Sequence, residues 1–285
     1  MKKSRIIITI LVLSLGALLA ACGNSNDASS KEGEASNETK TVKVGLNGSG
    51  VPIWEFVQEK AEEEGINIEI VEFADYVRPN MALADGDIDL NAFQTVSYFD
   101  QFIKDHDLDL APIGTTLIEP MGIYSDEYED VSNIPDGATI AIPNEATNMG
   151  RALLLLQEAD LLELPEDFDG NGSLEKIKDN PKDLKFETVV AAQTPRVLPD
   201  VAASLVNNNI AVEAGFDPLE EALVLESATA TPYINLIAAR ADETNNETYQ
   251  QIVEIFQTEE VANHIEELYD GSVVPTFVEL EKIGW

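Results

Sequence analysis

Three observations predict an α/β protein built as two lobes. Strand-like and helix-like segments alternate from residue 41 onward, the alternation restarts near residue 137, and two apolar stretches lie where the chain would pass between the two blocks. Alternating strands and helices give mostly parallel sheets covered by helices. A chain that crosses out and back packs its last helices on the first block. That leaves two lobes, a two-strand hinge and a cleft between them, and inter-domain clefts are preferred small-ligand sites.

The first block opens with TVKVGL (41–46), whose alternation and β-rich composition predict a strand. GSGV follows as a turn. PIWEFVQEKAEEEG begins on proline and closes on Gly65, a helix with start and stop signals. INIEIVEF (66–73) is a second strand, DYVRPNMALADGD a short helix, IDLNAFQ a third strand and SYFDQFIKDH another helix. TLIEPMGIYS (116–125) is the outward crossing.

In the second block, GATIAIPN (137–144) reads as a strand and TNMGRALLLLQEADLL as a helix. KFETVVAA reads as a strand, VLPDVAASLV as a helix, and NIAVEAGF and EALVLES as strands. SATATPYINLIA (227–238) is the return crossing, and YINLIAARAD continues as a strand. NETYQQIVEIFQTEEVANHIEELYDG supplies one or two closing helices. No sequence repeat accompanies the two blocks. The lobes are expected at 41–120 plus 232–285, and at 121–231.

Composition narrows the function. The 285 residues carry 53 acidic and 17 basic side chains, a formal net charge of −36, with 44% hydrophobic content. That is too apolar for a disordered acidic chain, and far too acidic for a nucleic-acid backbone, which needs basic patches. A solvated, soluble surface accounts for the charge, and the same charge repels anionic membranes.

The N-terminus supplies another route to the membrane. Lys2, Lys3 and Arg5 precede IIITILVLSLGALLAA, an apolar run of 16 residues. A spanning helix needs about 20, whereas a basic start, a short apolar run and small residues mark a secretory signal. It breaks at Cys22, the only cysteine. LAAC (19–22) resembles the lipobox of bacterial lipoprotein signals. That resemblance implies a signal peptide over 1–21, a lipidated Cys22 as the new N-terminus, and anchoring to the cell membrane on its extracytoplasmic face. GNSNDASSKEGEASNETK has no apolar side chain larger than alanine, so 22–40 is expected to be lipidated cysteine plus flexible tether.

No catalytic constellation is visible, and the sequence reads as a non-enzyme. His106 and His264 have neither Cys nor His near them, whereas zinc needs several N or S ligands at set spacing. GLNGSG is not G-x-G-x-x-G, the P-loop lysine is missing, and there is no G-x-S-x-G elbow. DFDGNGSLEKIK (167–178) matches the first half of an EF-hand loop, but Lys178 stands where a bidentate glutamate is required. An acidic, glycine-rich turn is the plainer reading. No cofactor or metal is implied.

After loss of the signal the chain has four arginines, Arg78, Arg151, Arg196 and Arg240. Arg151 stands out in NEATNMGRALLLL, at the expected start of a buried helix. There Asn144, Thr147 and Asn148 can cap, and Gly150 lets another backbone approach. A cation in a first turn opposes the helix dipole and so needs another partner. It pairs with a surface carboxylate, or it grips a ligand carboxylate in two-pronged fashion beside the helix start. These residues alone leave both readings open.

Several segments together resemble the methionine-binding lipoproteins of bacterial ABC importers, the NlpA-type family: DYVRPNMALADGDIDLNAFQ, IEPMGIYS, IAIPNEATNMGRALLLLQ, AAQTPR, SLVNNNIAVEAG, TPYINLIAAR and TEEVANHIEELYDGSVVPTF. They fall in family order over nearly the whole mature chain. The resemblance implies a type II periplasmic-binding-protein-like fold closing over one amino acid. It also implies delivery to a membrane permease driven by a cytoplasmic ATPase, and a monomer. The family's carboxylate-gripping arginine falls on Arg151, and its head-group asparagines fall on Asn207 and Asn235. Its aromatic side-chain pocket falls on Tyr76, Phe93 and Tyr98, and aromatic rings suit a thioether.

Two departures stand at the side-chain end. The family histidine after FQ is Thr95 and the following proline is Ser97, while TPGPHA after the first strand is replaced by LNGSGVPIWEF. The loss of a histidine frees volume that Trp54 is placed to refill. The expected ligand is therefore methionine or a related amino acid. Alternatives are D-methionine, a methionine derivative or a short peptide on the same fold, or an adhesin-type lipoprotein that keeps the fold without the ligand.

Overall fold

The computed structural model describes residues 40–285. The expected signal peptide, Cys22 and the tether up to residue 39 lie outside the described residues.

Two sheets form. The chain runs through β1 (Lys40–Leu46), α1 (Val51–Glu63), β2 (Ile66–Glu72), α2 (Arg78–Asp85), β3 (Leu90–Thr95), α3 (Val96–His106) and β4 (Leu110–Ile118). It then passes to β5 (Gly122–Tyr124), β6 (Thr139–Pro143), α4 (Ala146–Glu158), β7 (Lys185–Val189), β8 (Ala203–Val206), α5 (Asn208–Glu213), α6 (Pro218–Glu221) and β9 (Val224–Leu225). It returns through β10 (Ile234–Arg240), α7 (Glu247–Phe256), α8 (Glu259–Leu268) and β11 (Val274–Pro275). The first sheet has the order β11-β4-β10-β3-β1-β2 and the second β7-β6-β8-β5-β9.

Strands β1, β2 and β3 pair in parallel, as do β6, β7 and β8, while β10 is antiparallel to both β3 and β4. Ile234 at the start of β10 pairs with Ile118 at the end of β4. The outward connection and the return therefore run side by side, the two-strand arrangement expected of a hinge.

Each sheet carries its own core. Val42, Val44 and Leu46 of β1 are buried against Ile53, Trp54, Val57 and Ala61, one face of α1, together with Ile252, Val253 and Phe256 of α7 and Val261 and Ile265 of α8. The closing helices thus pack on the first sheet. On the second sheet, Ile140 and Ile142 of β6 and Leu205 of β8 pack on Ala152, Leu153, Leu155 and Leu156 of α4. Full burial of one such side chain stabilises by about 1.5–3 kcal/mol.

Three expectations fail locally. VLPDVAASLV is not a helix: after a short 3₁₀ turn, its last four residues form β8 and all are buried. A central strand covered on both faces loses its alternation and reads as a continuous apolar run. NIAVEAGF is not a strand but α5, stopped by Gly215 at φ +88°; its apparent alternation is too short to separate the two periods. The strand β4 begins at Leu110, ahead of the apolar stretch taken as the crossing.

Candidate functional site

The cavity lies where the ends of β3 and β4 and the start of β10 meet the starts of α4 and α5. It is bounded by Tyr76, Phe93, Gln94, Thr95, Tyr98 and Glu119, and by Asn148, Arg151, Asn207, Asn208, Asn209 and Asn235. All seven residues expected at a ligand site, Tyr76, Phe93, Thr95, Tyr98, Arg151, Asn207 and Asn235, line this one space. Gln94, Glu119, Asn148, Asn208 and Asn209 line it as well and were not singled out from the sequence.

One wall is aromatic. Tyr76, Phe93 and Tyr98 form a three-sided cluster with ring centroids 6.0 to 6.3 Å apart. Hydroxyls hold it in place: Tyr98 donates to the Tyr76 carbonyl at 2.9 Å and Tyr76 donates to Asn209 Oδ1 at 2.7 Å. Burial drives the Tyr76 phenol well above its ordinary range, so it stays protonated and donating. Beneath this wall, Gln94 is locked into a buried amide network with Asn80 and Asn91, with contacts of 2.7 to 2.9 Å.

Thr95 has a local task. It is the N-cap of α3, its hydroxyl accepts from the Tyr98 backbone N–H at 3.3 Å, and it meets the Ser97 hydroxyl at 3.2 Å. The two departures from the family pattern thus form one hydrogen-bonded unit at the mouth of α3, where a threonine cap suits the helix start. Trp54 does not refill space at Thr95. It lies in the core, its ring 5.3 Å from Phe256, and borders a neighbouring chamber.

Arg151 is not in the first turn of its helix. Helix α4 begins at Ala146, with Glu145 at the N-cap and no side-chain cap, so Arg151 sits in the second turn and Thr147 and Asn148 are helical. The depth is permitted by Gly150: a Cβ there would lie 2.0 Å from the Gly170 carbonyl oxygen. The loop read as a half EF-hand thus packs its backbone on α4. Among the described residues no cluster of His, Cys, Asp or Glu is arranged to hold a metal.

The partner of Arg151 is a buried one. Its Nε donates to both oxygens of Glu226 at 3.0 Å, and its Nη2 donates to Glu226 Oε2 at 2.5 Å and to the Glu119 carbonyl at 2.7 Å. The guanidinium carbon lies 4.3 Å from the centroid of the Tyr233 ring. Both side chains are nearly inaccessible, 4% and 8% exposed. The fork is therefore half used: Nη1 has no hydrogen-bond acceptor among the described residues.

The asparagines complete the polar lining. Asn207, the residue preceding α5, donates to Asn148 Oδ1 at 3.2 Å, and Asn208 donates to the Ser272 carbonyl at 3.2 Å. Their own oxygens, Asn207 Oδ1 and Asn208 Oδ1, are buried without a partner among the described residues. Asn235, the second residue of β10, reaches the Leu117 carbonyl at 3.4 Å. Glu119, in the outward crossing, carries a carboxyl that burial pushes up to about 7, with Arg151 pulling it back and Glu213 adding to the rise.

Contacts across the cavity mouth hold the two sheet units together. Besides the Tyr76–Asn209 bond, the Ser49 N–H donates to Glu213 Oε1 at 3.0 Å and Asn171 donates to Gln101 at 2.8 Å. Two α/β units joined by adjacent antiparallel crossings, enclosing a polar cavity with an aromatic wall, define a solute-binding protein of the type II periplasmic-binding-protein-like class.

The comparisons bear this out. Residues 42–277 match the NlpA lipoprotein family, and the chain belongs to that family. It is 40% identical to the Bacillus subtilis lipoprotein YhcJ over 249 residues, 87% of this chain and 89% of that one. It is 37% identical to the D-methionine-binding lipoprotein MetQ of Salmonella typhimurium, covering 85% of this chain and 90% of that one. A solved nutrient-binding protein from Burkholderia cenocepacia, bound to methionine, superposes with a TM-score of 0.80 at 40% identity, over 83% of this chain and all of that one.

Proposed function

We propose that this chain is an extracytoplasmic solute-binding lipoprotein that closes over methionine or a closely related amino acid and delivers it to an ABC permease. The observation that carries the reading is the convergence of Arg151 Nη1, the asparagine ring and the Tyr76–Phe93–Tyr98 wall on one cavity between two units. The free guanidinium nitrogen suits a carboxylate, the amides offer donors and acceptors to a head group, and the aromatic wall suits a thioether. The relatives' methionine ligands support the same reading. In this scheme residues 41–120 with 232–285 and residues 121–231 are the moving lobes. Cys22 carries the lipid, and the binding protein works as a monomer beside the permease and its ATPase. Titration calorimetry with the L- and D-isomers of methionine tests it: saturable 1:1 binding to the wild-type chain is expected, and no heat with either isomer contradicts it.

A short peptide is a second reading, favoured by one feature. A neighbouring chamber shares Phe93, Glu119, Asn209 and Asn235 with the first and extends to Asn47, Ser49 and Trp54. A dipeptide ending in methionine that binds more tightly than methionine itself would favour it.

A further inference from the structure

The cavity is lined by a carboxyl group that accepts no hydrogen bond among the described residues. Two carboxylates meet it, Glu226 through Arg151 and Glu119 directly, and Arg151 is the one cation among its lining residues. Glu226 takes the Nε–Nη2 edge of that cation. Glu119 gives Arg151 only its backbone carbonyl, and its own carboxylate makes no hydrogen bond among the described residues. Other groups nearby are acceptors too: Asn207 Oδ1 and Asn208 Oδ1 line the same cavity, 7% and 1% exposed, and neither has a donor among the described residues. Asn47 Oδ1, in the adjoining chamber that Glu119 also borders, is a further buried acceptor without one. Buried acceptors left unmatched are destabilising, so an occupant that brings hydrogen-bond donors and positive charge as well as an anion for Arg151 fits this lining.

We propose that Glu119 is the receptor for the ligand's ammonium group and so the residue that makes this cavity select amino compounds over plain carboxylic acids. The inference rests on the reading of the cavity as an amino-acid site. An ammonium offers three N–H donors, enough for the Glu119 carboxylate and a neighbouring asparagine oxygen together. With Arg151 Nη1 on the carboxylate, the two ends of a zwitterion are held by groups of opposite sign. Burial keeps the Glu119 carboxyl near the point of ionisation, so that a neighbouring cation favours its anionic form.

The test uses the wild-type chain, Glu119→Gln, and three probes: L-methionine, D-methionine and 4-(methylthio)butanoate, which is methionine without its amino group. For wild type, at least one methionine isomer is expected to bind about 30-fold or more tighter than the deaminated acid, the loss typical of a stranded buried charge. In Glu119→Gln that discrimination should collapse to within about threefold, through weaker methionine binding with the deaminated acid little changed. Wild type that binds the deaminated acid as tightly as methionine overturns the role of Glu119 and leaves the amino-acid reading standing, and it needs no variant to fold. A folded Glu119→Gln that keeps the full discrimination does the same. Wild type that binds none of the three probes overturns the amino-acid reading and the inference with it.

Discussion

Glu226 and Glu119 both lie beside Arg151, yet their surroundings differ. Glu226 faces the guanidinium with both oxygens and is bonded through three contacts. Glu119, in the hinge crossing, turns its carboxylate to the cavity and has no such bond among the described residues, and its proton is held up to about pH 7. The first is a structural ion pair that sets the arginine in place. The second is an unmet demand, and an unmet demand in the lining of a cavity describes what the cavity would hold. The pair also changes how Arg151 is understood: a partner carboxylate and a ligand-facing role are compatible, because a guanidinium has two usable edges.

Breaking the satisfied pair should have the largest effect. Arg151→Met strands Glu226 as a buried, uncompensated charge and is expected to destabilise the fold by about 3–5 kcal/mol. The double variant Arg151→Met with Glu226→Leu should recover most of that loss, since a buried pair replaced by apolar groups is often near neutral. Urea unfolding of the two variants checks this, and equal stabilities would show that the pair is not a unit. Loss of ligand binding in Arg151→Met alone is therefore ambiguous, and the double variant is the cleaner binding control.

The unmet carboxylate should have a smaller effect of opposite kind. Its proton is held to about pH 7 in the folded chain, against the ordinary 4.5 when unfolded. The folded form thus binds more protons in that window. Its contribution is fully present below pH 4.5 and is lost as pH rises through 7. Full loss corresponds to at most roughly 3 kcal/mol, with Arg151 opposing the shift and Glu213 reinforcing it; Tyr76 and Tyr269 also feel the Glu119 charge. Glu119→Gln should flatten this segment of the stability–pH curve for the empty protein. An unchanged slope between pH 5 and 7.5 would show that another group titrates there.

The smallest effect belongs to the contact across the mouth. Tyr76→Phe removes the 2.7 Å bond to Asn209 and keeps the ring in the aromatic wall. About 1 kcal/mol of closure, or roughly fivefold in affinity, should be lost, which calorimetry resolves. No change would mean that closure does not depend on that bond.

How much of this was legible depended on range. The crossings and the closing helices could be read because each is a local pattern, whereas the lining residues could be read only through the resemblance of their segments to the family. Gly150 could be read as a close-approach glycine, though not its partner, the Gly170 carbonyl. Segments 197–206 and 209–216 misled because a buried strand and a two-turn helix carry too little periodicity. The partner of Arg151 was out of reach for another reason: Glu226 is 75 residues away and meets it only after the chain has gone out and turned back. Glu119 was hidden inside IEPMGIYS, where the signal was an apolar crossing and the one acidic residue in it had no pattern of its own. Asn208 and Asn209 sat beside Asn207, but that all three adjacent asparagines reach the cavity is decided by the start of α5.

The account's central claim is that a zwitterionic amino acid lies across this cavity between Arg151 and Glu119. A crystal structure of the chain grown with the tighter-binding methionine isomer tests it most directly. Expected is a ligand carboxylate about 2.9 Å from Arg151 Nη1, its ammonium against Glu119 and its thioether on the Tyr76–Phe93–Tyr98 wall. A ligand bound elsewhere, or one whose carboxylate turns away from Arg151, would contradict it.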